Sequence, residues 1–439
     1  MATGSSPAQT VLAQTYRAER GKLIAFLARR FHDVELAEDA VQSATEVASR
    51  TWPVRGIPGS PAGWLLSVAR RRCVDVVRRR ERISGVLTES GVTASADGGE
   101  LVTVDALEPG AAYIPDERLR LIYTCCHPAL EPDTRVALTL QLVVGMTSDQ
   151  IGRAFLVAPA TVAQRLVRSK RKIREARIPI EVPAPEELAA RTASVRRILY
   201  LIFNEGYAPT SGDRVVARRL CDEAIALARL LVTLLKVHRL SNELPESLGL
   251  LALMLLHDSR REARVAEDGR IIPLLEQDRR LWDRSRIAEG RAVLQESGRV
   301  VAVGPYQIQA AIGLQHAEAV SASATDWPSI RRLYAILEEL DPSPVVRLNR
   351  LIAQSFAESP AGVLAELREL TLHTQMVGYA PLSAAIGDAA ERAGFLQEAH
   401  HAFETAVAHA TNQAERAHLR RRAESVPSHG PPEGSQGPG

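Results

Sequence analysis

Residues 147–177 read TSDQIGRAFLVAPATVAQRLVRSKRKIREAR, and the order of polar, apolar and turn residues in this stretch decides the fold. Thr147 or Ser148 can cap a helix, with Gln150 placed to reach back in a capping box. That helix runs through Ile151, Ala154 and Phe155. A tight break follows at 157–159, and Pro159 suits the first turn of the next helix. There Val162, Leu166, Ser169 and Ile173 share one face. Thr161, Gln164, Arg165, Arg168, Arg171 and Lys172 are left largely on the others. Helix, short turn, basic helix is the helix-turn-helix arrangement, whose second helix enters the major groove of DNA.

The residue types fit that use. Arg presents a planar fork to guanine O6 and N7, Gln can bond adenine N6 and N7, and the remaining cations neutralise phosphates. The same residues would also serve as a solvated basic helix on an ordinary bundle. A second basic site precedes them: Arg70, Arg71, Arg72, Arg78, Arg79, Arg80 and Arg82 crowd one helix whose only acids are Asp75 and Glu81. Their repulsion calls for a polyanion or for carboxylates elsewhere in the chain. Ahead of them TWPVRGIPGSPAG, 51–63, reads as an irregular loop in which Trp52 and Arg55 are placed to receive an unstacked base. The bland alternative for Trp52 is a helix-end hydrophobe, and Trp64 reads as core.

Charge and composition frame these sites. The chain has 439 residues, long enough for about three domains. Its 46% hydrophobic content excludes wholesale disorder, and 54 Lys and Arg against 52 Asp and Glu exclude a uniformly basic coat. The charge is unevenly spread, however. Residues 1–82 carry 14 basic and 8 acidic side chains, 83–116 none basic and 6 acidic, and 117–178 carry 11 basic and 5 acidic. Two cationic blocks therefore flank an acidic strap.

Ala, Leu, Arg and Glu dominate while alternating β-branched runs are scarce, so the expected class is all-α. Residues 16–50 give two amphipathic helices, and Trp64, Leu65, Val68, Ala69, Cys73 and Val76 line a third. Residues 83–115 lack a helical period and read as a linker; EVPAPEE, 181–187, punctuates a boundary. From 188 to 425 helix follows helix. There Gly394, Ala399, Phe403 and Ala406 sit where a tetratricopeptide-like pair places small and aromatic residues. The Pro- and Gly-rich end, 426–439, reads as a disordered tail.

Cys73, Cys125, Cys126 and Cys221 form no CxxC pair or disulfide-framework spacing, and Cys125, Cys126 and His127 read as helix packing, so no metal is expected. The start has no signal-peptide pattern, and the longest apolar run, LGLLALMLL at 248–256, is too short to span a bilayer. A cytoplasmic chain without membrane contact is expected.

The stretches AEDAVQ (37–42), PGSPAGWLLSVARRRCVDVVRRR (58–80) and DERLRLIYTCCHPAL (116–130), together with the helix-turn-helix unit through 174, resemble an extracytoplasmic-function RNA polymerase sigma factor of the sigma-70 family. YLIFNEGYAPTSGD (200–213), LLEQDRRLWD (274–283), GPYQIQAAI (304–312) and DPSPVVRLNR (341–350) resemble the subgroup with a long helical extension. The resemblance implies two small helical sigma domains: region 2 over 10–82 and region 4 over 116–178, joined by a flexible linker at 83–115. A TPR-like regulatory extension would occupy 188–425.

It further implies that Glu38, Asp39, Val41 and Gln42 dock on the coiled coil of the largest polymerase subunit. The second sigma unit would lie at the flap and read the −35 element of promoter DNA. Trp52, Arg55, Arg71, Arg72, Arg78, Arg79 and Arg80 would act at the −10 element. No catalytic residue, cofactor or enzyme activity is implied, since the chemistry belongs to the polymerase. Asn204, Glu205, Tyr207, Gln277, Asp278, Arg279 and Trp282 are either a groove for a regulatory protein or small ligand, or a network that holds helical hairpins in register. An autonomous helix-turn-helix regulator that senses a ligand through the extension is the competing reading.

Overall fold

The computed structural model describes residues 7–84, 117–154, 157–207, 214–266, 270–299, 303–410 and 413–427. The acidic strap falls largely outside them, as does Phe155. Among the described residues the chain is helical, and the only extended pairing is one isolated bridge between Val265 and Ile271. The all-α expectation is met. The chain divides into two compact units, 1–205 and 206–439.

In the first unit α1 (Pro7–Phe31), α2 (Val34–Arg55) and α3 (Pro61–Ser84) form a three-helix layer. Asp33 fixes the start of α2 by accepting from the Leu36 amide at 3.0 Å, an N-cap worth about 1 kcal/mol. Leu23, Ile24, Leu27, Ala37, Ala40, Val41, Ala44, Leu65, Ala69 and Cys73 fill the space between the helices. The expected loop at 51–63 shrinks to 56–60, because α2 continues through Pro53 to Arg55. A proline there forfeits only the bond to the Ser49 carbonyl, which lies on an exposed turn where water can replace it.

The rest of this unit comprises α4 (Glu117–Cys125), α5 (Pro132–Thr139), α6 (Ser148–Ala154), α7 (Pro159–Glu175) and α8 (Pro185–Tyr207). α5 loosens into a π turn, Leu140–Val144, that stops at Gly145 with φ +80°. Most of α8 belongs to this unit: Tyr123 and Thr192 share a hydroxyl hydrogen bond at 3.0 Å, and Leu188, Val195, Leu199 and Ile202 are buried. The unit thus runs beyond the boundary expected at 181–187.

The second unit is a succession of ten helices among its described residues: α9 (Arg214–Val237), α10 (Leu244–Asp258), α11 (Arg284–Ser297), α12 (Pro305–Glu318), α13 (Trp327–Leu340), α14 (Pro344–Ala357), α15 (Leu364–Leu370), α16 (Ala380–Arg392), α17 (Leu396–His409) and α18 (Gln413–Ser425). The apolar run 248–256 lies in α10, which is buried against α9, α11 and α12. A helix hydrophobic on all sides belongs in a core, and this one is too short for a bilayer. No described helix is long and apolar enough to cross a membrane. Toward the end α16 and α17 pair through Ala399, Phe403 and Ala406, and α18 closes the cluster. Val426, expected in a disordered tail, is 3% exposed and packs into that cluster, because its isopropyl group meets the apolar face of α18.

Candidate nucleic-acid interface

α6 begins as the sequence demands. The Thr147 hydroxyl accepts from the Gln150 amide at 3.2 Å, while the Gln150 side chain accepts from the Thr147 amide at 3.0 Å. The following turn is tight enough that a Cβ on Gly152 would stand 2.6 Å from the Val157 carbonyl. α7 then buries Val162, Leu166, Ser169 and Ile173 and presents Gln164, Arg168, Arg171 and Lys172 to solvent, with Thr161 and Arg165 half-buried. Arg165, Arg168 and Lys172 line a cleft of about 440 Å³ whose other wall includes Glu131 and Thr134.

On α3, Arg70, Arg71, Arg72, Arg78, Arg79, Arg80 and Arg82 are all exposed. Among the described residues only Arg80 meets a carboxylate, Asp33 at 3.0 Å. The opposite face of the helix carries Leu65, Ala69 and Cys73 into the core, so cations and apolar groups divide cleanly. Arg55 is exposed at the end of α2.

Trp52 departs from its expected role. It is 2% exposed, with its ring edge-on to Trp64 at 5.7 Å, and so cannot receive a base where it stands. A buried indole anchoring the last turns of α2 outweighs an exposed one, since a side chain of this size gains several kcal/mol on burial. Exposed near it instead are Val54 and Ile57. Val41 departs likewise: it faces the core, whereas Asp39 and Gln42 beside it are exposed.

Glu38 sits at the centre of a network that sequence reasoning missed. Arg20 of α1 donates to it at 2.5 Å, and Lys170 of α7 donates to its other oxygen. Arg20 also donates to the Gln141 and Leu142 carbonyls at 2.6 and 3.1 Å, groups that the π turn presents. α1 comes so close to that turn that a Cβ on Gly21 would stand 2.9 Å from the Val143 carbonyl. One step further, Arg174 reaches Glu35 at 3.1 Å and Asp33 at 3.9 Å. The helix expected to dock and the helix expected to read DNA are therefore bonded to each other. Desolvation first, and then Glu35 and Glu38, hold the Asp39 carboxyl above its ordinary 3.8.

The cysteines are packing residues. All four are buried, and burial pushes the thiols of Cys73 and Cys125 to about 12 and Cys221 to about 11, with Cys126 also raised. In the extension Asn204 and Glu205 belong to the first unit, while Tyr207 and the residues after it belong to the second. Within the second, Arg279 lies over the Trp282 ring and Arg260 over both Trp282 and Tyr207. Gln277 donates its side-chain amide to the Ile272 carbonyl at 3.0 Å, and its buried Oε1 meets no donor among the described residues. Asp278 is spent on Arg280 at 2.7 Å, whose hydrogen bonds lower its carboxyl to about 2.

Residues 15–83 match the family described as sigma-70 region 2, residues 120–173 match sigma-70 region 4, and residues 191–298 match a family of unknown function, DUF6596. An uncharacterized protein of Rhizobium meliloti (strain 1021) is 40% identical over 93% of this chain and 94% of its own length. A probable ECF RNA polymerase sigma factor, SigI, of Mycobacterium tuberculosis is 30% identical over 41% of this chain and 60% of its own length. The ECF RNA polymerase sigma factor SigK of Mycobacterium sp. (strain KMS) is 28% identical over 35% of this chain and 76% of its own length. No solved structure matches.

Proposed function

Since the chain belongs to the sigma-70 family, as an extracytoplasmic-function factor with a long helical extension, we propose that it docks on core RNA polymerase through α2 and directs initiation at promoters that α7 and α3 select. It is a non-enzymatic transcription initiation factor. The observation that supports the detailed reading best is the division of α7: Gln164, Arg168, Arg171 and Lys172 are exposed to solvent, Arg171 within 3.6 Å of Glu175, while the opposite face is sealed in a core. In this reading those four side chains meet the −35 element.

Opening duplex DNA costs about 1.4 kcal/mol per base step in lost stacking, and a protein without fuel must recover that by holding the separated strand. The exposed arginines of α3 suit single-strand phosphates. With Trp52 in the core, a displaced base would rest on the turn 56–60 beside Arg55, Val54 and Ile57. Docking falls to Glu38, Asp39 and Gln42, with Val41 as their packed support. Because Lys170 occupies Glu38, polymerase and α7 compete for one carboxylate, and docking frees α7. Transcripts made by purified core polymerase plus the full chain test the reading. Starts at defined positions are expected, and a mixture that forms no complex or starts at no defined position defeats it.

A further inference from the structure

The second unit concentrates guanidinium groups where carboxylates are already committed. Around the end of α10, Asp258 pairs with Arg261 and Arg286, Glu262 with Arg218, Asp278 with Arg280, and Asp283 with Arg286. Three arginines of the same segment, Arg260, Arg264 and Arg279, meet no carboxylate among the described residues. They gather instead on two aromatic faces. Arg264 lies 3.6 Å from the Tyr207 ring centre, Arg279 lies 4.7 Å from that of Trp282, and Arg260 lies 5.9 Å from both.

Among the described residues no carboxylate relieves these three positive charges. Stacking on aromatic rings accounts for part of their stability, but a guanidinium does not shed its proton, and burying unpaired cations is costly. The adjacent imidazoles give way instead: burial first, then Arg260 and Arg264, hold His257 well below its usual range, and burial, Arg260 and Arg279 bring His316 to about 4. Not all of the donors are spent. Arg260 gives one N–H to the Tyr207 hydroxyl at 2.7 Å and Arg264 gives one to the Tyr207 carbonyl, while Arg279 gives three, to the His316 and Ala319 carbonyls, both at 2.6 Å, and to the Thr325 hydroxyl at 3.3 Å, and keeps two of its five. Among the described residues Trp282, 2% exposed, finds no acceptor for its indole N–H, and the buried Nδ1 of His316 finds no partner.

We propose that Arg260, Arg264 and Arg279 form a binding site for a small oxyanion of the phosphate class, with Trp282 as an additional donor. Planar forks converging from different elements suit a tetrahedral, doubly charged group better than a monovalent halide. The site makes the extension a receptor for a phosphate-bearing small molecule, and it stands independently of how α3 and α7 use DNA.

Calorimetric titration of the full chain with inorganic phosphate, at matched ionic strength in chloride, tests it. Because α3 and α7 can also attract phosphate, the decisive comparison is among variants. The wild type should show a saturable site that Arg260→Met weakens about tenfold or more, the equivalent of losing one charge-assisted contact. Arg264→Lys, which keeps the charge and loses the fork, should weaken it as well. Arg280→Met, at an exposed arginine paired with Asp278, should leave it intact. Thermal unfolding in chloride alone establishes that each variant is folded. Equal titrations for wild type and both site variants overturn the proposal, as does tighter saturation by succinate than by phosphate. Transcription by core polymerase is a separate readout, so failure here leaves the promoter reading standing, and the reverse also holds.

Discussion

Asp39 carries its charge at a cost. Its raised carboxyl means that the native chain binds the proton more tightly than the unfolded chain does, so stability falls as pH climbs from the ordinary 3.8 through the raised value. Asp39→Asn should therefore raise the thermal midpoint at neutral pH, by a small amount because the side chain is exposed, and the gain should vanish below 3.8. If Asp39 docks on polymerase, the same variant binds core enzyme more weakly; a stabler and equally competent variant removes Asp39 from that role. Trp52 poses the opposite case. Truncation to Ala should cost about 3–5 kcal/mol in urea unfolding, since it empties the space against Trp64. A cost under about 1 kcal/mol would return the indole to the surface.

At the scale of helices, if α7 reads the −35 element, its labour divides along its length and around its girth. Gln164→Ala and Arg168→Ala should each weaken binding by about 1–3 kcal/mol at particular −35 base pairs. Arg171→Ala and Lys172→Ala should weaken it uniformly and reduce the salt slope by about one. Competition between operator variants distinguishes the two patterns. On the other edge of α7, Glu38→Ala strands Arg20 and Lys170 as buried cations and should cost about 3–5 kcal/mol. Lys170→Met should cost much less, because Arg20 still neutralises Glu38. The reverse order in chemical denaturation would make Lys170 the anchor.

The capping box and the buried stripe of α7 were legible in the sequence because both are local, with partners three or four residues apart. The Glu38 network was not, since Lys170 lies 132 positions away, and no periodicity encodes which exposed cation finds which carboxylate. Proline misled the reading of Trp52, because a helix end tolerates what a helix middle does not.

For the molecule as a whole, the compact unit that ends at Glu205 sets where the chain can be cut. A chain ending at 205 should melt cooperatively, whereas one ending at 185 loses Leu188, Val195 and Leu199 from its core and the Thr192 partner of Tyr123, and should be much less stable. If the extension regulates initiation, promoter-directed transcription by the 1–205 chain differs from that of the full chain; equal yields remove that role. The long helical region was visible as composition and period, but the allegiance of α8 was not, because only packing decides which core a helix joins. The inert thiols offer a route to watching the first unit at work. Alkylating reagents attack thiolates, so none of the four native sulfurs should be modified until the chain is unfolded. Fluorophores attached through Ser60→Cys and Ala176→Cys, both at exposed positions, would then label a chain that retains its own cysteines, and a fall in energy transfer on adding core polymerase would time the parting of α2 from α7.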